Sequence, residues 1–270
     1  MWDVLQFEFM RNALIAGVLV SISCGIIGSL IVVNRIVFIS GGIAHAAYGG
    51  IGLAFFMGFS PYLGAALFAL VVSMIIGIIS SKMKYRADTI VGVLWAVGMA
   101  IGIIFVDMTP GYTVDLMSFL FGSILAVPRS DILFMVPLDI LILLTILIFY
   151  KEFIAISYDD EFAFIVGIPV KFFYFVLMGM TALSVVMIIR VVGLILVIAL
   201  LTIPPYIAEK YTRSLGEMMF VSCLLSVIFT VTGLWLSYKY DLTSGATIIL
   251  VAGAAFFFSQ ILDMIRKTGY

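Results

Sequence analysis

"IVFISGGIAHAAYGGIGLAFFMGFSPYLGAALFALVVSMIIGIISS", residues 36 to 81, contains no Asp, Glu, Lys or Arg and a single imidazole, His45. A hydrocarbon core about 30 Å thick is crossed by roughly 20 apolar residues in a helix. This stretch is long enough to cross twice, with the split near residues 58 to 61. It therefore reads as a pair of membrane helices, and the fold follows from that.

The pattern repeats toward both ends. Of 270 residues, 64% are hydrophobic and 11% charged, against roughly 25% charged in a soluble domain. The expectation is an all-α integral membrane protein, one transmembrane domain over 1–270 surrounded by lipid, with no nucleic-acid partner. Asp3 and Glu8 precede the first apolar run without a small-residue cleavage site, so that run is expected to stay in the mature chain. Cys24 and Cys223 both fall inside apolar runs and indicate no disulfide framework. The 15 methionines are scattered over many spans as bilayer-compatible filler.

Dividing the chain at charges and turn residues predicts spans near 12–34, 36–58, 61–81, 89–106, 132–150, 172–189, 192–208, 217–236 and 244–262. "VDLMSFLFGSILAV", 114–127, is short for a crossing and reads as a re-entrant or interfacial helix. The number is thus about nine, within eight to ten. Basic residues choose between arrangements. With nine spans and the N-terminus outside, Arg35, Lys82, Lys84, Arg86, Lys151, Lys171, Lys210, Arg213, Arg266 and Lys267 face the cytoplasm. Arg11, Arg129, Arg190 and Lys239 face out, a division of ten to four. A tenth crossing levels it at seven to seven. The C-terminus is then cytoplasmic, in an inner or plasma membrane.

In this arrangement His45 lies near the bilayer midplane. Gly41, His45, Gly49 and Gly52 share one helix face. Two readings fit so bare a strip. Small residues let membrane helices touch, and polar residues at mid-membrane mark substrate paths. A neutral imidazole is also a common ligand for divalent transition metals. A transport site must release its ion, so positions can be left to water or to a second copy of the chain. Cys24, Tyr48 and Asp139 are possible helpers, the first two more often packing residues.

Two further segments stand out. In "YDDEFAFIVGIPV", 158–170, Asp159, Asp160 and Glu161 open a short helix that Gly167 and Pro169 end, lying on the cytoplasmic side. A plain connector and a docking element fit it equally. In "VVGLILVIALLTIPPYIAEKY", 191–211, Pro204 and Pro205 remove two amide donors, which predicts a break in the helix or its end near the interface.

Taken together, "GGIAHAAYGGIG" (41–52), "LMSFLFGSIL" (116–125) and these two segments resemble the membrane permease family of bacterial and archaeal ATP-binding-cassette importers for zinc, manganese and iron. Asp159, Glu161, Ala163 and Gly167 match that family's acidic-x-Glu-x-Ala-x-x-x-Gly pattern. The resemblance implies a homodimer or a pair of related permease subunits, each docked through 158–170 on an ATPase chain. An external metal-binding lipoprotein or periplasmic protein would feed it. It implies no permanently bound cofactor: zinc or manganese is cargo, and ATP is used by the partner. His45 corresponds to the family's ion contact, often accompanied in manganese members by an aspartate four residues earlier. Here that position is Gly41.

The chain has no Gly-Lys-Ser/Thr phosphate loop, so ATP binding must come from another chain, and the permease is not expected to be an enzyme by itself. A stand-alone secondary transporter is the alternative; it would need mid-membrane carboxylates for ion coupling, and only Asp139 offers one. A zinc intramembrane protease needs a His-Glu-x-x-His pair and is excluded by the single histidine.

Overall fold

The computed structural model describes residues 6–82, 87–110, 122–194 and 196–268. Among them eleven α-helices follow one another without a strand: α1 (Glu8–Val33), α2 (Val37–Met57), α3 (Pro61–Lys82), α4 (Ala87–Asp107), α5 (Arg129–Ile148), α6 (Tyr150–Tyr158), α7 (Asp160–Ile165), α8 (Val170–Val192), α9 (Leu196–Glu209), α10 (Leu215–Tyr240) and α11 (Ser244–Thr268). Eight are long and apolar enough to cross a membrane; α9, at 14 residues, is a shorter apolar helix. Each of the nine expected spans has its helix. Of the element expected at 114–127, residues up to 121 lie outside the described ones. Its end is a turn through Gly122, at φ +61°, and a short 3-10 helix at Ile124–Ala126.

Local chemistry fixes the boundaries. Gly58 ends α2 in the left-handed conformation, at φ +75°, and Pro61 opens α3, where a missing amide hydrogen costs nothing. Ser214 caps α10 by accepting a hydrogen bond from the Glu217 amide. The α1–α2 link is one tight turn in which Arg35 itself is left-handed, at φ +58°.

The expected break at Pro204 and Pro205 is corrected: α9 runs through both prolines to Glu209. The prolines deprive the Leu200 and Leu201 carbonyls of their helical donors, but α1 is pressed against this turn. A Cβ on Gly28 would stand 2.6 Å from the Leu201 oxygen and 2.8 Å from Pro205 Cγ. The discontinuity lies earlier, at Gly193 (φ +85°), between α8 and α9. There Val192 and Leu194 are buried, as irregular backbone at membrane depth requires. At about 1.5 Å per residue α9 spans only ~21 Å.

α1, α2 and α8 bury most of their apolar windows, whereas α4, α5 and α11 leave most of theirs for lipid or another chain. α2 is held against α3 and α4, while α1 contacts α5, α8, α9 and α10. The short helices α6 and α7 lie at the end of the bundle where α1 finishes, since Asn34 donates to Ser157 Oγ at 3.0 Å.

Candidate functional site

The glycines of α2 decide what surrounds His45. A Cβ on Gly49 would come 2.8 Å from the Gly98 oxygen, and one on Gly52 would come 2.1 Å from the Gly102 oxygen. The far part of the bare strip is therefore where the α4 backbone docks, as small residues permit. Gly41 differs. The space a side chain would take there is filled by Ile198 of α9, whose Cδ1 would stand 2.8 Å from the added Cβ.

His45 itself is half-buried and lies face to face with Trp95 of α4, ring centroids 4.0 Å apart and planes 10° from parallel. The other neighbour of the indole is Phe38, two turns before His45 on α2, at 6.0 Å. Trp95 thus spans the glycine turn between two rings of one helix. Its Nε1 donates to Met99 Sδ at 3.3 Å. The His45 Nδ1 atom is buried with no hydrogen-bond partner. A nitrogen so placed is either a lone pair without a donor or an N–H without an acceptor, and a passing cation satisfies the former.

Beside this stack lies a cavity of about 570 Å³. Gly41, Trp95 and Ile198 form its inner end; Thr202 and Tyr206 line its wall, and Arg35, Asp88 and Glu209 stand toward the helix ends. The residues from α9 recur at one-turn spacing, so one face of that helix supplies them. Thr202 Oγ1 is buried and unpartnered, as His45 Nδ1 is. Arg35, Phe38 and Asp88 also border a larger cavity of about 1230 Å³ that reaches Asp159, Asp160 and Glu161.

The other expected residues are not part of this cavity's lining. Cys24 is fully buried on α1, and Cys223 points its thiol at the Ile22 carbonyl, 3.5 Å away, at the α1–α10 contact. Tyr48 is buried with its ring against Gly102. Asp139 is 3% exposed and accepts a hydrogen bond from Ser23, while its Oδ2 has no partner; α5 packs on α1 and α8. Among the described residues, no three of His, Cys, Asp and Glu gather around a metal position. His45 is joined instead by Trp95, and Ile198 and Thr202 line the cavity beside the pair; no sequence signal marked these three. Each is an ordinary residue of an apolar span until the helices are packed.

The segment at 158–170 takes the expected capped form. Asp159 Oδ1 accepts from the Glu161 and Phe162 amides at 3.0 and 2.9 Å. Ala163 is buried, and Gly167, at φ +93°, ends α7 with its amide on the Phe164 carbonyl. Tyr158, Phe164 and Ile165 stay more than 70% exposed, an apolar face of the kind that marks a protein contact.

The chain is similar to known proteins over nearly its whole length. The model of the ABC 3 transport family matches residues 6–263. An uncharacterised membrane protein of Synechocystis is 52% identical, over 96% of this chain and 92% of its own. The manganese transport system membrane protein MntC of Halalkalibacterium halodurans is 33% identical, over 98% and 92%. Among solved structures, PsaBC from Streptococcus pneumoniae in complex with Fab aligns at TM-score 0.86 and 34% identity, covering 95% of this chain and 93% of that one. An inward-facing metal-chelate type ABC transporter aligns at TM-score 0.73 but 17% identity and shares the fold alone. The match over nearly the whole chain, with the His45 helix and the Asp159-to-Gly167 element folded as described, makes this chain a member of the ABC 3 transport family.

Proposed function

We propose that this chain is the transmembrane permease subunit of an ATP-driven importer of divalent transition-metal ions, with manganese the leading cargo and zinc and iron the others. The observation that carries this is the unpartnered His45 Nδ1, beside a cavity at membrane depth, in a chain 33% identical to a manganese permease. The named relatives favour manganese although Gly41 stands where the resemblance expects a carboxylate. With one imidazole per copy, the remaining ligands would come from water or from a second permease copy.

The partners follow from the same surfaces. An ATPase chain docks on α6 and α7, whose exposed aromatic and aliphatic side chains support that contact. An external metal-binding protein delivers the ion on the opposite side. The end bearing α6 and α7 is then cytoplasmic. Lys210, just past the end of α9, pairs with Asp263 near the end of α11 at 2.7 Å, so the C-terminal helix finishes on this side, and α1 begins on the other. Both agree with the charge distribution.

The test is uptake by the permease and its ATPase reconstituted together in liposomes, with manganese, zinc and iron compared. ATP-dependent accumulation of manganese is expected, reduced by His45→Ala at least about tenfold, as loss of a ligand exceeds the 10–100-fold cost of losing its outer-shell support. Uptake of all three metals unchanged by His45→Ala overturns the assignment.

A further inference from the structure

We infer that Trp95 and Ile198 form the cytoplasmic gate between the ion position at His45 and the cavity beneath it, which serves as the release vestibule. This deepens the transport reading above and rests on it.

Three observations converge. The cavity ends against Gly41, Trp95 and Ile198, and His45 is not part of its lining. Both gate side chains are seated on α2: the indole lies flat on the imidazole, and the Ile198 methyl fills the gap over Gly41. They come from α4 and α9, and Asp88 at the start of α4 and Glu209 at the end of α9 line the same cavity. Thr202 is one turn beyond Ile198 on the face that lines the cavity, so its unpartnered hydroxyl is the first oxygen an ion would meet after passing.

Depth agrees with this role. Trp95 and His45 each lie eight residues into their helices from the cavity end, about 12 Å at 1.5 Å per residue. Two apolar groups at that level dehydrate the constriction, and hydrophobic constrictions gate by excluding water. Gly41 has no side chain to hold the passage open, so Ile198 closes on bare backbone. A displacement of α9 relative to α2 and α4 would open it. The larger cavity shares its border with the α6–α7 segment through Phe38 and Asp88, which gives movement at the ATPase contact a short route to the gate.

The experiment uses the reconstituted permease–ATPase complex with Cys24→Ser and Cys223→Ser, and a membrane-impermeant thiol reagent applied from the ATPase side without nucleotide. Thr202→Cys should react, while His45→Cys should react slowly. Adding Ile198→Ala or Trp95→Ala to His45→Cys should raise its labelling by about tenfold or more, as a closed majority state gives way to an open one. With His45 intact, Ile198→Ala should leak manganese without ATP. Trp95→Phe should keep the passage closed, so loss of the fold is separable from loss of the gate. Equal labelling of His45→Cys with and without the gate substitutions overturns the inference. So does an inert Thr202→Cys. If the parent complex accumulates no metal, the transport reading fails on its own while the labelling comparison still stands.

Discussion

The imidazole of His45 and the indole of Trp95 lie 4.0 Å apart and nearly parallel, so the one imidazole of the chain is stacked on a residue of another helix. Stacked aromatic pairs are worth about 0.5–1.5 kcal/mol beyond their burial. Trp95→Ala should therefore lower the thermal midpoint of the purified chain slightly while altering manganese uptake strongly. Trp95→Phe should restore the midpoint and most of the uptake. A loss of uptake that tracks the stability loss in both variants would make Trp95 a packing residue only.

The α2–α4 contact predicts a sharp contrast among glycines. Gly52 and Gly102 meet through backbone, and a methyl at Gly52 would stand 2.1 Å from a carbonyl oxygen. Backbone cannot yield as a flexible side chain does, so Gly52→Ala should cost more than the ~1–3 kcal/mol typical of overpacking and abolish recovery of folded protein. Gly253 of α11 has nothing within 4 Å of its missing Cβ, and Gly253→Ala should express normally. Monodisperse yield in detergent is the measurement.

Asp159 caps the first turn of α7. A helix of six residues has almost no stability of its own, and losing a cap costs about 0.5–2 kcal/mol. Asp159→Ala should fray α7, scatter the face formed by Phe164 and Ile165, and weaken capture of the ATPase chain in a co-purification assay. Asp159→Ser, which still accepts from the Glu161 and Phe162 amides, should retain it. Equal capture by all three proteins would detach α7 from the docking surface.

The spans, the cap at Asp159 and the singular position of His45 were legible because each depends on local composition or spacing. Hydropathy over some 20 residues needs no knowledge of neighbours, and a lone imidazole in an uncharged run stands out by chemistry. Trp95, Ile198 and Thr202 were not legible. Their meaning comes from the register of α4 and α9 against α2, which no single helix encodes. Pro204 and Pro205 misled for a related reason: proline weakens a helix in isolation, but here α1 at Gly28 packs on the weakened turn and holds it. The bare strip around His45 serves two contacts at once, docking for α4 at Gly49 and Gly52 and a seat for Ile198 of α9 at Gly41.

The remaining prediction concerns the second buried polar pair. Asp139 of α5 takes a hydrogen bond from Ser23 of α1 and leaves its other oxygen unpartnered, in a setting only 3% exposed. Its helix packs on α1 and α8. We propose that Asp139 acts as a helix-to-helix tie between α5 and α1. Removing one partner strands the other at about 1–3 kcal/mol, whereas replacing both by apolar groups is close to neutral. Ser23→Ala should thus lower the thermal midpoint, and Ser23→Ala with Asp139→Leu should recover much of that loss. Manganese uptake per folded complex should remain near that of the parent in Asp139→Asn. If Asp139→Asn instead folds normally and abolishes uptake, the carboxylate belongs to the ion pathway and the division between tie and pathway drawn here is wrong.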